Sequence, residues 1–129
     1  MKILGLDIGD RRIGVAVLDT DINVPMPLIT LNNNRTFVNE LKKLVIENKA
    51  ESLIIGMPIN LAGHKSEQAK KVMEVVKKIK NKLNIPVIFE DERLTSQTAQ
   101  KRLKDVNYLK ADIDAVAAVV ILENWMARN

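Results

Sequence analysis

The order of apolar runs along the chain constrains its fold more than any other feature of the sequence. Strand-like runs cover Lys2–Asp7 and Ile13–Asp19, and a short third strand is expected near Pro27–Leu31. Two later runs, Ser52–Ile55 and Val87–Asp91, alternate with stretches of helical periodicity. Strands joined by short turns pair antiparallel, whereas strands separated by helices run parallel. The order β-β-β-α-β-α-β-α-α therefore predicts an α/β sheet that begins as an antiparallel meander and continues with parallel strands.

The helical stretches carry apolar stripes that predict where they face the core. Helices are expected at Arg35–Lys49 and Ser96–Leu103, and a last one is expected after the cap residue Asp112. No linker, repeat or low-complexity segment interrupts the pattern, so residues 1–129 are predicted to form one domain. The clearest helix is Ser66–Leu83, whose predicted apolar face consists of Ala69, Val72, Met73, Val76, Ile79 and Leu83.

The composition excludes several classes of protein. Hydrophobic residues make up 47% of the chain but aromatic residues only 3%, which predicts an aliphatic core and disfavours a base-stacking surface. The chain has no cysteine, which excludes disulfides, thiolate nucleophiles and zinc–thiolate sites. With neither a signal peptide nor an apolar run near the ~18 residues of a membrane span, a cytoplasmic protein without membrane contact is expected. The net charge of +4 mildly favours a polyanionic partner.

Acidic residues stand where several of these elements begin or end. Asp7 ends the first run, Asp91 and Glu92 end a later one, and Asp114 lies in the first turn of the last helix. If these elements lie side by side, their carboxylates converge, and converging carboxylates repel each other unless a cation or a proton neutralises them. Oxygen ligands of this kind favour Mg²⁺ or Mn²⁺. The pattern indicates phosphodiester chemistry, while strand ends, surface charge and the helix dipole remain simpler explanations for the individual acids.

Residues around these acids are candidates for binding a phosphate chain. A glycine in the Asp-x-Gly turn allows close approach of backbone or phosphate, and arginines in the same turn either bind phosphate or are simply solvated. Hydroxyl residues after Glu92 either bind phosphate or cap the next helix. The predicted substrate contacts are Gly9, Arg11, Arg12, Asn60, Arg93, Thr95, Ser96 and Lys110.

Taken together, these residues resemble the YqgF family of Holliday-junction-resolvase-like proteins. Family members are regarded as nucleases that process the 5′ end of pre-16S ribosomal RNA. The resemblance implies a ribonuclease H-like fold, in which a five-stranded sheet with three antiparallel and then parallel strands is flanked by helices. The matching segments follow in order over nearly the whole chain: Leu6–Gly9, Arg12–Val17, Ile55–Asn60 with Gly63, Asp91–Ser96, and Asp114 with Ala117–Glu123.

The resemblance also implies roles for the acids. Asp7, Glu92 and Asp114 would be catalytic and would bind metal, and Asp91 would be a further metal ligand. The cofactor would be Mg²⁺ or Mn²⁺, as two ions roughly 4 Å apart at the scissile phosphate, with Asp7 as the shared ligand. The chain departs from the family at Asp10, where Thr or Ser is usual, and this places an extra negative charge near the site.

Other functions compete with this interpretation. The expected partner is nucleic acid, with RNA favoured, but a Holliday-junction resolvase acting on four-way DNA is an alternative that would usually need a symmetric dimer. A monomer or a weak homodimer is expected, and Trp125 and Met126 are candidates for either an interface or the core. A module that binds nucleic acid without cutting it is a further alternative. The motif Asp7-x-Gly9 also occurs in sugar kinases and actin-like ATPases, but 129 residues leave no room for their second lobe.

Overall fold

The computed structural model describes residues 1–58, 67–91 and 113–129. The helix predicted at Ser96–Leu103 and the predicted cap Asp112 lie outside these residues. In the described part, the strands are β1 (Lys2–Ile8), β2 (Arg12–Asp19), β3 (Val24–Asn32), β4 (Ala50–Met57) and β5 (Val87–Asp91), and the helices are α1 (Phe37–Asn48), α2 (Glu67–Lys82) and α3 (Ile113–Arg128).

The described strands form one five-stranded sheet in the order β3-β2-β1-β4-β5. β2 pairs antiparallel with both β1 and β3, whereas β4 runs parallel to β1 and β5 parallel to β4. This arrangement confirms the predicted α/β class, in which an antiparallel meander continues into parallel strands. β1 is the central strand of the sheet. A residue at the carboxyl end of β1 therefore lies in the middle of that end of the sheet.

The third strand lies where it was predicted, but it is longer than Pro27–Leu31, because β3 pairs with β2 from Val24 to Asn32. The longer strand contains Pro25 and Pro27, although proline lacks the N–H that a sheet ladder uses. β3, however, is an edge strand, where proline is tolerated when its nitrogen faces solvent. The pairing also contains a register shift opposite Val15 and Ala16, which accommodates one irregular residue.

The two faces of the sheet are covered by different helices. Side chains alternate between the faces along each strand, so every buried strand contributes to both layers. On one face, α1 and α2 pack against large aliphatic residues that include Leu4, Leu6, Ile13, Val15, Leu53 and Ile55. On the other face, α3 packs against Ile3, Ala16, Leu18 and Ile54. Trp125 and Met126 pack against this second cluster, so they contribute to the core.

The helices differ in how much of their surface is buried. α2 is amphipathic as predicted, although Met73 is 36% exposed and Val75 takes a buried position instead. α3 is buried at every position from Ala115 to Leu122, which is typical of a helix enclosed by the rest of a fold. Among the described residues, no helix is both long and apolar enough to cross a membrane.

Candidate active site

Asp7 lies near the end of the central strand, on the face of the sheet that α3 covers. Because side chains alternate along a strand, Asp7 lies on the same face of the sheet as Ile3 and Gly5. The residue is half-buried. In the antiparallel pairing of β1 and β2, Asp7 is directly opposite Gly14. The position next to Asp7 on this face therefore has no side chain.

Asp114 occupies the space that Gly14 leaves open. A Cβ atom added to Gly14 would lie only 1.7 Å from the carbonyl oxygen of Asp114, so the first turn of α3 rests directly on the backbone of β2. Directly opposite residues of an antiparallel pair have Cβ positions about 5 Å apart. The start of α3 is thus a close neighbour of Asp7, and two acids separated by more than a hundred residues share one end of the sheet.

Arg12 provides the positive charge beside these acids. Its Nε donates to Oδ2 of Asp114 at 2.9 Å. The side chain of Arg12 is 63% exposed and that of Asp114 is 24% exposed, so the pair lies at the rim of the site. This contact joins the turn between β1 and β2 to the start of α3.

Hydrogen bonds hold the backbone of that turn from the side of α2 and from the end of β3. The N–H of Gly9 donates to the carbonyl of Arg12 at 2.9 Å, which closes the turn. Asn33 donates through its side chain to the carbonyl of Gly9 and through its backbone N–H to the carbonyl of Arg11, both at 2.8 Å. Gln68 of α2 donates to the carbonyl of Ile8 at 3.3 Å. The turn that carries Gly9, Arg11 and Arg12 is therefore fixed in place.

The charge of Asp10 is directed away from the two acids and towards α2. Its Oδ1 lies 3.2 Å from Nζ of Lys71, and both side chains are exposed. A groove of about 530 Å³ opens here between the turn and α2, and Lys78 also lines it. The extra negative charge that distinguishes this chain thus has a lysine partner of its own.

Asp91 does not join Asp7 and Asp114. In the parallel pairing of β4 and β5, Asp91 is beside Met57, which belongs to the core on the α1 and α2 face. Glu90 faces α3 instead, which agrees with the predicted alternation, and its Oε1 lies 2.9 Å from Nη2 of Arg128. Burial raises the pKa of Glu90, Arg128 opposes that shift, and Asp91 adds to it.

The remaining candidates lie outside the described residues. The described ranges contain no cluster of three or more His, Cys, Asp or Glu residues that could hold a metal ion, and in them Asp7 and Asp114 are the predicted acids that come together. The candidates that the structure does not describe are Asn60, Glu92, Arg93, Thr95, Ser96 and Lys110.

Sequence reasoning overlooked the residue that brings Asp7 and Asp114 together. Gly14 was part of a strand pattern, and glycine inside a strand is itself a signal of close backbone approach. The ion pair of Arg12 with Asp114 carried no local signal, because the partners are 102 positions apart. The small residues of α3 did predict close packing, and they indicated correctly that the acid at its start would reach the sheet.

Comparison with known proteins identifies relatives over the full length of the chain. The family model described as "RuvX: Holliday junction resolvase" matches residues 1–128. A protein of Thermoanaerobacter pseudethanolicus named "Putative pre-16S rRNA nuclease" is 37% identical over 133 residues, which cover 98% of this chain and 96% of the relative. A protein of Clostridium novyi with the same name is 36% identical over 132 residues, covering 98% of both chains.

Solved structures share the fold at much lower sequence identity. Thermus thermophilus RuvC, in complex with a Holliday junction substrate, superposes with a TM-score of 0.60 at 11% identity, covering 99% of this chain and 96% of RuvC. The fowlpox virus Holliday junction resolvase superposes with a TM-score of 0.59 at 13% identity over the whole of both chains. These likenesses confirm the ribonuclease H-like fold. With a family match from residue 1 to residue 128, the chain belongs to the RuvX family of Holliday junction resolvases, which is the YqgF family that its motifs resemble.

Proposed function

We propose that the chain is a divalent-metal-dependent nuclease that hydrolyses phosphodiester bonds in the 5′-end processing of pre-16S ribosomal RNA. The observation that carries the proposal is the contact of Gly14 with Asp114, which brings that acid beside Asp7 at the end of the central strand. The names of the relatives support the choice of substrate. We also propose that the protein acts in the cytoplasm and that residues 1–129 form one nuclease domain.

The described acids fit a hard divalent cation. Asp7 and Asp114 offer carboxylate oxygens, which are the ligands that Mg²⁺ and Mn²⁺ prefer. Both residues are only partly exposed, so neutralisation by a cation would relieve their mutual repulsion. We propose Glu92 as the third acid, because it follows the end of β5 in the sequence. Bound there, such a cation supplies a Lewis acid and an activated water for phosphodiester hydrolysis.

The surroundings of the acids fit a phosphate chain. Hydrogen bonds hold the backbone of the turn from Gly9 to Arg12 in place, and this backbone carries two arginines near Asp7. The groove beside that turn is lined by Lys71 and Lys78, but also by Glu74 and by Asp10, which pairs with Lys71. A polyanion bound along this edge would therefore meet the arginines of the turn and Lys78, with Asp7 and Asp114 on the α3 side.

Four-way DNA is the second candidate substrate. The description of the family and the fold shared with RuvC favour it. Cutting both strands of a junction symmetrically would require two copies of the chain. Junction cleavage and dimer formation should therefore appear together or not at all.

The test is a cleavage assay with precursor 16S 5′-leader RNA, generic single-stranded RNA and a four-way DNA junction, each in Mn²⁺, Mg²⁺ or chelator. Asp7→Asn should lower metal-dependent cleavage at least about 100-fold. Loss of a residue that only orients a metal ligand costs up to about 100-fold in activity, and loss of the ligand itself should cost no less. Saturating Mn²⁺ should also raise the melting temperature of the wild type, since a hundredfold excess over Kd stabilises by about 2.7 kcal/mol. Asp7→Asn should lose that rise.

Asp21→Asn is the matched control, because Asp21 is an exposed acid that pairs with the N-terminus at the other end of the sheet. It should keep both the cleavage and the metal-induced rise in melting temperature. Full activity of Asp7→Asn would contradict the assignment of this residue. Binding of RNA without cleavage in any metal would favour the non-catalytic module.

A further inference from the structure

Arg12 pairs with Asp114, which is one of the three acids that the proposed function assigns to metal. Its guanidinium and the carboxylate of Asp114 are 2.9 Å apart, which is an ion-paired hydrogen bond. The carboxylate is the less exposed partner, at 24% against 63% for the arginine side chain. The acid is thus fixed in the fold, while the cation reaches it from the solvent side.

The backbones of both partners are anchored independently of this contact. Arg12 begins β2, opposite Asn32 of β3, and its carbonyl accepts the hydrogen bond that closes the turn. Asp114 is anchored by the contact of its backbone with Gly14. Loss of the ion pair would therefore leave the backbone in place, and the long arginine side chain is the part of the pair that can move.

We propose that Arg12 is a positioning residue that acts as a built-in counter-ion of Asp114, and that a divalent cation must displace it to bind there. The inference rests on the proposed function, since it concerns the same acids. A carboxylate already paired with a guanidinium attracts a second cation less strongly, and the arginine charge also repels that cation at short range. Arg12 therefore lowers the metal affinity of the site and keeps Asp114 neutralised when metal is scarce.

The matched control is Arg11, which has the same charge and stands next to Arg12 in the same turn. Its removal changes the general electrostatic field at the acids, and that effect is screened by salt. Its removal does not take away the contact with Asp114. The difference between Arg12→Gln and Arg11→Gln therefore isolates the contribution of the ion pair.

The experiment is calorimetric titration of the full chain with Mn²⁺ in the absence of nucleic acid. The wild type, Arg12→Gln, Arg12→Lys, Arg11→Gln and Asp7→Asn are compared. Arg12→Gln should bind Mn²⁺ about tenfold more tightly than the wild type, whereas Arg11→Gln should change the affinity by less than about threefold. Arg12→Lys keeps the charge, so its affinity should remain near that of the wild type.

Melting temperatures give a second readout. In chelator, Arg12→Gln should melt below Arg11→Gln, because Asp114 has lost its counter-ion, and Mn²⁺ should reverse the order. The wild type could bind Mn²⁺ while Arg12→Gln binds it no more tightly than Arg11→Gln does. That result would refute the competition between Arg12 and the cation for Asp114, but it would leave the metal site itself supported. Absence of Mn²⁺ binding in the wild type would overturn both this inference and the metal-dependent function.

Discussion

The two faces of the sheet are built from side chains of different size. On the face of α1 and α2, the central strands present leucine, isoleucine and valine, which keep the helices at a side chain's distance from the backbone. On the face of α3, the same strands place Gly5, Gly14 and Ala16 beside larger residues such as Ile3 and Leu18, and the helix lies almost on the backbone at the two glycines. The first face provides most of the apolar burial. The second provides the proximity that joins Asp114 to Asp7.

The difference shows how a fold can combine stability with a concentrated charge. Large buried side chains each contribute about 1.5–3 kcal/mol, and they hold the sheet whether or not the acids are neutralised. The small-residue face can then carry two acids that disfavour each other. Substitutions on the two faces should therefore have separable effects on stability and on metal binding.

The largest effect is expected from Gly14→Ala, which tests the small-residue face directly. The new Cβ would overlap the carbonyl oxygen of Asp114, and backbone cannot move aside as a flexible side chain can. We expect the free energy of unfolding to fall by more than about 4 kcal/mol, or the chain to fail to fold. Any folded fraction should lack the rise in melting temperature with Mn²⁺.

Leu6→Ala on the opposite face is the comparison. It should cost about 2–5 kcal/mol by leaving a cavity, yet it should keep the response to Mn²⁺. Urea denaturation with and without Mn²⁺ measures both quantities. Equal metal responses in folded Gly14→Ala and in Leu6→Ala would refute the division of roles between the faces.

A smaller effect is expected from Gly5→Ala, further along the same face. Its Cβ would lie 2.6 Å from Cγ of the buried Leu122 side chain and 3.1 Å from the carbonyl oxygen of Ala118. We expect a cost of about 1–3 kcal/mol from overpacking. The metal response should be retained, because the start of α3 is not displaced.

A double-mutant cycle identifies the source of that cost. Leu122→Ala removes the atoms that Gly5→Ala would strike, so the two substitutions together should destabilise less than the sum of their separate effects. The coupling energy between positions 5 and 122 follows from the unfolding free energies of the wild type, the two single variants and the double variant. Strict additivity would show that the contact with Leu122 is not what requires glycine at position 5.

The smallest effect concerns Glu90, the buried acid on the α3 face. Burial raises its pKa above the ordinary value of 4.5, so the folded protein holds this proton more tightly than the unfolded chain does. Glu90 therefore costs stability as pH rises from 4.5 through the folded pKa. Glu90→Gln removes this cost. Its partner Arg128 is 62% exposed and can be solvated when the ion pair is lost.

Melting curves across pH measure this effect. The melting temperature of Glu90→Gln relative to the wild type should rise from acidic pH towards neutrality and then level off. Glu51→Gln, a substitution of an exposed acid on β4, should show no such trend. A difference for Glu90→Gln that is constant with pH would mean that Arg128 cancels the effect of burial on the pKa of Glu90, and one that falls with pH would mean that Arg128 outweighs it.

Much of this architecture follows from local patterns in the sequence. The order of elements and the placement of Asp7 near the end of β1 were predicted correctly because periodicity and turn residues act locally. The extent of β3 was missed, because the cost of Pro25 and Pro27 depends on whether the strand lies at an edge. Met73 was placed in the core because it lies at the border of the apolar stripe, where helix rotation decides exposure.

The site was less predictable than the fold, because its contacts are long-range. Asp114 could be proposed from the resemblance and from the alanines around it, but its partner Arg12 could not. That pairing depends on Gly14 bringing α3 onto β2, which only the assembled sheet determines. The separation of Asp91 from Asp7 likewise depends on the register of β4 and β5.

The prolines of β3 also affect how the molecule behaves in a crowded cell. An exposed sheet edge is a template on which another extended chain can add, and such addition leads to aggregation. Pro25 and Pro27 lie in β3, and a proline has no N–H to donate to an incoming strand. Prolines in an edge strand oppose such addition, although the β3 side chains Val24, Met26 and Leu28 are apolar and exposed.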